Sequence, residues 1–134
     1  MPMTVERRER LTPEHRLTTP QQHVAVREAG VAYRGRCCLM LVLEQPGETT
    51  RFGFIASRRG VGGAVQRNRA RRRLREIVRR RWPRLRDHGL WIEFIAYPGV
   101  LTALHQELAT EIEQLLTRAG ALAPTRLEGP PGHA

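Results

Sequence analysis

Apolar residues recur at helical spacing inside a run of arginines between Gln66 and Arg81. The recurring positions follow the intervals i, i+4, i+7 and i+8, and they are Ala70, Leu74, Ile77 and Val78. At about 100° per residue they fall within roughly a third of the helix circumference. The pattern predicts a helix that packs on a core by this stripe. It should end near Trp82, because Pro83 disfavours α geometry in the preceding residue.

Three runs rich in apolar residues predict β-strands, and they are Cys37 to Leu43, Arg51 to Ser57 and Leu90 to Tyr97. The residues Gln45-Pro46-Gly47-Glu48, between the first two runs, are typical of a turn. We therefore expect the first two strands to pair with each other as a hairpin.

Two further helices are predicted, one near each end of the chain. Thr19 is a candidate N-cap, Gln22 completes a capping box, and Gly30 marks the end of this first helix. The last helix is predicted from Thr102, as its cap, to Ala119. Its core stripe consists of Leu104, Leu108, Ile112, Leu115 and Leu116.

The order helix, strand, strand, basic helix, strand, helix predicts an α+β fold: a sandwich with one small central sheet and helices packed against it. The 134 residues are enough for one domain with a real core. We expect that domain to span residues 17–119. A flexible segment should precede it at 1–16, and a disordered tail should follow at 120–134.

Charge is concentrated around the basic helix. All 23 basic residues are arginine, and the chain carries a net charge of +10. Residues 50–86 contain 14 arginines and only one acid, Glu76, while the rest of the chain is slightly acidic. Arginines also repeat at i, i+4, where like charges repel. A compact basic segment on a nearly neutral body indicates a nucleic-acid partner, which would neutralise it.

Two alternatives explain a basic helix without nucleic acid. A solvated charged face usually mixes Lys, Arg and Glu, whereas this one is nearly all arginine. A membrane-surface helix carries Trp, Phe and Leu on a broad apolar face, whereas this stripe is narrow and lacks aromatic residues. The chain also shows no signal peptide and no run long enough to span a membrane, so we expect no membrane partner and a cytoplasmic location.

Candidate catalytic chemistry is sparse. The five histidines are scattered, and no carboxylate cluster suits Mg²⁺. Glu76 is expected to pair with neighbouring arginines rather than act as a base. The glycine-rich stretch at 60–63 lacks the ending of a phosphate-binding loop, so it either makes a turn or allows backbone to approach RNA. We therefore predict no catalytic or metal-ligating residue, and an RNA-binding cofactor rather than an independent enzyme.

One stretch resembles a known family. Ser57-Arg58-Arg59 is followed by Ala64-Val65-Gln66-Arg67-Asn68-Arg69 and then by Arg71-Arg72-Arg73-Leu74-Arg75-Glu76. A small-residue strand end, two basic residues, a short loop, an RNR triplet and a basic helix form the signature of the bacterial ribonuclease P protein component. The resemblance covers roughly residues 17–119.

The resemblance implies a fold and a function. The family has an α–β sandwich in which the βαβ crossover containing the basic helix is left-handed, an exception to the usual rule. Its catalyst is an RNA subunit that holds Mg²⁺, and the protein alone is inactive. The resemblance further implies that one protein binds one RNA, and that a cleft between the first helix and the sheet holds the 5′ leader of precursor tRNA. The assembly then cleaves off this leader to give the mature 5′ end.

Carried over position by position, the resemblance assigns RNA-subunit contacts to Arg58, Arg59, Arg67, Asn68, Arg69, Arg71, Arg72 and Arg75. Each of two residues has an alternative role: Arg67 could cap the strand end instead of contacting RNA, and Asn68 could be a local capping residue. The leader-binding candidates are His23, Arg27 and Leu41.

This chain departs from the family at several of these places. The family usually has Phe at His23, an aromatic residue at or near Arg27, and a hydrophobic residue at Arg73. His23 could instead simply cap or pack the first helix. The alternative function is that of a non-catalytic basic RNA-binding protein, such as a ribosomal protein of related fold.

Overall fold

A computed structural model describes residues 11–123. Within them four strands and four α-helices follow one another in a single α+β domain. In chain order they are α1 (Pro20–Ala29), β1 (Val31–Arg34), β2 (Cys38–Thr49), β3 (Arg51–Ile55), α2 (Ala64–Arg80), β4 (His88–Ala96), α3 (Gly99–Thr102) and α4 (His105–Arg118). Single 3-10 turns occupy Pro13–His15 and Trp82–Arg84.

The strands form one sheet in the order β1-β2-β4-β3. Strand β2 is antiparallel to both β1 and β4, whereas β3 is parallel to β4. Helix α2 connects the parallel pair, so β3, α2 and β4 form the expected βαβ crossover. The left-handedness of that crossover stays a prediction.

The predicted hairpin between the second and third strands is wrong, because β4 lies between them. Strand β2 runs through the predicted turn to Thr49, with an irregularity in its pairing to β4 and with Gly47 at φ +86°. Only Thr50 then separates β2 from β3, and its buried hydroxyl accepts a hydrogen bond from the Leu90 N–H. Because β2 is antiparallel and β3 is parallel to β4, the chain reverses direction at this short link and crosses to the other side of β4.

The hairpin that does form joins β2 to β1, an edge strand that the sequence did not reveal. Three of the four residues of β1 are exposed, so it lacks an apolar run. By contrast, the start of α1 was predicted well. The Thr19 side chain accepts a hydrogen bond from the Gln22 N–H, and the Gln22 side chain bonds back to the Thr19 N–H.

Helices cover the two faces of the sheet unequally. On one face α2 and α4 enclose the main core, whose largest fully buried side chains include Phe52, Phe94, Met40, Leu74 and Ile112. On the other face α1 covers a small cluster of Leu17, Val26 and Leu41. The apolar side chains that continue across this second face are only partly buried, and they are Leu39, Leu43, Trp91 and Ile95. The layers confirm the predicted sandwich, and we call the partly open strip of sheet formed by these four side chains the groove beside α1.

The folded domain extends past both predicted boundaries. Leu11 is buried in the main core, and the Leu17 N–H donates to the Phe52 carbonyl, so residues 11–16 are not a loose segment. After α4, Ala121 and Leu122 are also buried, and Leu122 pairs with Leu85. The rest of the predicted flexible segment and tail lies outside the described residues.

The last predicted helix is in fact two helices. Helix α3 ends at Thr102, and α4 begins after Leu104, which is 67% exposed and belongs to no core stripe. Thr102 therefore does not cap the long helix. The other four predicted stripe residues, from Leu108 to Leu116, are buried.

Candidate RNA interface

Helix α2 lies on the core as its apolar stripe predicted. Ala70, Leu74 and Val78 are 0% exposed, and Ile77 is 1% exposed. Because these residues fix the rotation of the helix, the remaining positions face outward or along its flanks. No other stripe competes for the core, so the arginine face has a defined orientation.

Four predicted RNA-binding arginines are exposed, and they are Arg58, Arg59, Arg69 and Arg72. They form no ion pair with an acidic side chain within residues 11–123. Arg58 and Arg59 lie in the turn before α2, which is closed by a hydrogen bond from the Gly60 N–H to the Ser57 hydroxyl at 2.8 Å. Gly62, at φ +136°, then leads the chain into α2, so the glycines here make the turn.

Three other predicted contacts, Arg67, Arg71 and Arg75, are half-buried along the flanks of α2. Arg71 donates to the Asn68 amide oxygen at 2.6 Å and reaches the Ala56 carbonyl at 3.5 Å. Arg71, rather than Arg67, therefore contacts the end of β3. Gly63 is the N-cap of α2 and makes no side-chain cap, so Asn68 does not cap the helix but orients Arg71.

Arg75 lies over the ring of Phe54, with 5.7 Å between the guanidinium carbon and the ring centroid. Desolvation is the main cause that lowers the pKa of Arg75, and the charges of Arg16, Arg71 and Arg72 lower it further. The repulsion of Arg75 by the neighbouring arginines is therefore stronger than its attraction to Glu76. A polyanion would relieve that repulsion.

Two arginines of the basic run, Arg73 and Arg81, have structural roles. Arg73 donates to the carbonyls of Val100 at 2.6 Å and Ala103 at 2.9 Å, at the C-terminal end of α3. The end of a helix leaves such carbonyls without intrahelical partners, and the planar guanidinium satisfies two of them. Arg81 pairs with Glu113 of α4 at 2.8 Å. Both side chains therefore tie helices together.

Acidic side chains near α2 have local partners. Glu76 accepts a hydrogen bond from Arg79 at 2.8 Å, which is the main cause that lowers the pKa of the Glu76 carboxyl. The predicted pairing of Glu76 is confirmed. Among residues 11–123 no three His, Cys, Asp or Glu side chains converge on a possible metal position. Within this part of the chain the carboxylates therefore do not fit a bound Mg²⁺.

The three leader-binding candidates lie together beside α1, but in different roles. His23 and Arg27 project from α1 towards Glu93 of β4, which is fully buried. His23 Nδ1 bonds to Glu93 Oε2, and Arg27 Nε lies 3.6 Å from Glu93 Oε1. Leu41 is buried with Leu17 and Val26, so it supports the groove rather than lining its open part.

Sequence reasoning missed two side chains on this face. Glu93 could not be recognised from the sequence, because a single acid within an apolar strand does not predict which residues it contacts. The apolar run from Leu90 to Tyr97 predicts only that Trp91 lies in a strand, whereas in the structure it is half-buried on the same face of β4 as Glu93. Strand alternation could have placed both on one face. An aromatic ring is thus present in the groove, on the sheet rather than on α1.

A small sheet that presents an arginine-covered helix defines a basic RNA-binding protein of the α+β class. A model of the Ribonuclease P family matches residues 11–120. The chain belongs to this family, whose protein components are part of a tRNA-processing endoribonuclease complex. The Ribonuclease P protein component of Chloroflexus aurantiacus is 43% identical over 112 residues, covering 83% of this chain and 82% of the relative. That of Symbiobacterium thermophilum is 42% identical over 109 residues, covering 81% and 93%.

Solved structures show the same fold. The RNase P protein of Staphylococcus aureus superposes with a TM-score of 0.70 at 18% identity, covering 81% of this chain and 98% of that one. The RNase P protein of Thermotoga maritima gives a TM-score of 0.67 at 22% identity, covering 77% and 96%. Nothing in these comparisons favours the alternative of a ribosomal protein. Within residues 11–123 no helix is long and apolar enough to cross a membrane.

Proposed function

We propose that this chain binds the RNA subunit of ribonuclease P through α2 and the leader of precursor tRNA through the groove beside α1. The observation that carries the proposal is the orientation of α2: its apolar stripe is fully buried, so Arg69 and Arg72 on the opposite side face solvent. Guanidinium groups bind phosphate in a planar, bidentate manner, and an RNA would neutralise this face.

The two surfaces suit two different forms of RNA. The exposed arginines of α2 offer phosphate contacts, which suits a structured RNA. The groove beside α1 combines half-buried apolar side chains, Trp91 among them, with His23 and Arg27. Stacking surfaces next to positive charge are typical of sites for a single strand.

In this proposal the RNA subunit is the catalyst and would hold the Mg²⁺ that supplies the chemistry of cleavage. The protein binds and orients the RNAs, with one chain per RNA subunit, in the cytoplasm. Its own contribution is to neutralise phosphates along α2 and to hold the leader away from the tRNA body. The protein therefore assists the removal of the leader without supplying a reacting group.

The test is reconstitution of precursor tRNA cleavage from purified components. We expect the RNA-free protein to cleave nothing, and the protein with its ribonuclease P RNA to release the 5′ leader. The gain from adding protein should be largest at low Mg²⁺, where fewer cations screen the phosphates. Cleavage by rigorously RNA-free protein would refute the proposal that the RNA subunit is the catalyst. An RNA subunit whose activity is unchanged by the protein would refute the assembly itself.

A further inference from the structure

The groove beside α1 contains a carboxylate that is costly to bury. Glu93 is 0% exposed, and its Oε1 has no hydrogen-bond partner within residues 11–123. Its Oε2 bonds to Nδ1 of His23, and Arg27 approaches only to 3.6 Å. A buried charge is retained only where something compensates it, and here the compensation comes from a histidine at the edge of the groove.

The imidazole of His23 is held in one orientation. Nδ1 is fixed by Glu93, and Cε1 lies against Gly53 of β3. A Cβ at Gly53 would lie 3.2 Å from that Cε1 and 3.1 Å from Leu17 Cδ1, so a larger residue would press on the ring. The remaining nitrogen, Nε2, has no hydrogen-bond partner among residues 11–123. The side chain is 23% exposed, so this nitrogen is the ring's free polar atom.

A cavity of about 200 Å³ opens where His23 reaches the edge of β3. Arg16 lines it from the segment before α1, and Arg75 lines it from α2. The two guanidinium groups are close enough that the charge of Arg16 helps to lower the pKa of Arg75, after desolvation as the main cause. No acidic side chain lines the cavity within the described chain. Two cations and an imidazole without an anion make a site for phosphate.

We propose that Arg16, His23 and Arg75 bind one phosphate of an RNA strand at the β3 edge, and that Glu93 is the positioning residue that holds His23 for this contact. An imidazolium that donates from Nδ1 to the carboxylate also presents an N–H at Nε2, which is the donor that a phosphate oxygen needs. The inference rests on the proposed function, because it requires a strand in the groove beside α1.

The position of this phosphate site explains how the two RNA surfaces connect. Strand β3 is the edge of the sheet between the face covered by α1 and the face covered by α2. His23 belongs to the first face, and Arg75 belongs to the second. A strand leaving the groove would pass this edge directly to the arginine face. Because phosphate is common to all nucleotides, the contact would hold any leader sequence.

The experiment measures binding of precursor tRNA to the reconstituted holoenzyme, with one leader phosphate at a time replaced by an uncharged methylphosphonate. We expect one position at which the replacement weakens wild-type binding about tenfold. Arg16→Ala should weaken binding of native RNA to a similar degree, and it should show no further loss with the replaced RNA. Arg118→Ala removes the same charge beside Tyr33 at the opposite edge of the sheet. With the Arg118→Ala protein, replacement of the phosphate should weaken binding as much as it does with the wild-type protein.

Glu93→Gln separates positioning from simple folding. It keeps a hydrogen-bonding group next to His23 but removes the carboxylate that fixes the ring. We expect it to lose the response to the same replaced phosphate while the protein melts cooperatively. If every leader position responds equally in wild type, Arg16→Ala and Glu93→Gln, the phosphate site does not exist. A wild-type holoenzyme that does not prefer precursor to mature tRNA would instead refute the proposed function.

Discussion

The amide oxygen of Asn68 accepts a hydrogen bond from Nη2 of Arg71 at 2.6 Å, one helical turn along the exposed side of α2. This bond fixes a long side chain that also reaches the Ala56 carbonyl at the end of β3. The RNR triplet therefore contains a residue that orients an arginine beyond the triplet. We expect its asparagine to act through preorganisation, which would lower the entropy that Arg71 loses on binding phosphate.

Removal of the Asn68 amide should weaken RNA binding only while Arg71 is present. We expect Asn68→Ala to lower affinity for the ribonuclease P RNA about threefold, and Arg71→Ala to lower it further. In the Arg71→Ala background, Asn68→Ala should then have no effect, because the coupled pair is already broken. A double-mutant cycle of RNA affinities measures this coupling. Strictly additive losses would show that Asn68 contacts RNA by itself.

The exposed and buried sides of α2 should respond differently to truncation. Arg69→Ala or Arg72→Ala should weaken RNA binding and change the slope of log K against log[salt] by about 0.7 to 0.9. Neither should change the melting temperature appreciably. Leu74→Ala, at a fully buried position, should cost about 2 to 5 kcal/mol of stability. If Arg72→Ala unfolds the protein and Leu74→Ala does not, the orientation of α2 is wrong.

Arg73 should behave as a stability residue although it lies in the basic run. Arg73→Lys keeps the charge but cannot bond both the Val100 and Ala103 carbonyls in a planar fork. We expect the free energy of unfolding to fall by about 1 to 3 kcal/mol, because a half-buried carbonyl is left unpaired. Chemical denaturation measures this change in stability. RNA affinity and its salt slope should stay near wild type, with Arg72→Lys as the matched control on the exposed face.

The contrast between Arg72 and Arg73 shows how far the sequence predicts this interface. Helical periodicity correctly predicted the buried stripe, and the stripe determines which side of α2 faces the core. It could not show that Arg73 binds the end of α3, because the predicted last helix had no break at residues 103–104 to expose those carbonyls. Local patterns predict which face of an element is apolar. They do not predict which distant backbone groups need a partner.

The sheet order shows the same limit. Apolar runs identified β2, β3 and β4, but adjacency in sequence suggested the wrong pairing. The pairing of the strands depends on Thr50, a one-residue link through which the chain passes from β2 to an edge strand on the far side of β4. The contact between His23 and Glu93, 70 residues apart, likewise follows from the pairing of β3 with β4, which brings Gly53 opposite Glu93.

Glu93 changes what a substitution at His23 should do. Replacing His23 by Phe would add a stacking surface to the groove, but it would also leave the buried carboxylate without its hydrogen bond. We expect His23→Phe alone to lose about 3 kcal/mol of stability, because one partner of a buried pair is removed. The double variant His23→Phe/Glu93→Val should recover most of that loss, since it removes both polar partners. Thermal and denaturant unfolding of the two variants measure the difference.

The double variant should also bind the leader in a different way. Base stacking is much less sensitive to salt than phosphate contacts, each of which contributes about 0.7 to the salt slope for a single strand. The wild-type preference for precursor over mature tRNA should therefore fall more steeply with salt than that of His23→Phe/Glu93→Val. His23→Ala/Glu93→Val, which removes the ring without adding a stacking surface, is the control and should show a weaker preference at both salt concentrations. If all three proteins give the same ratio of precursor to mature affinity at both concentrations, His23 lies outside the path of the leader.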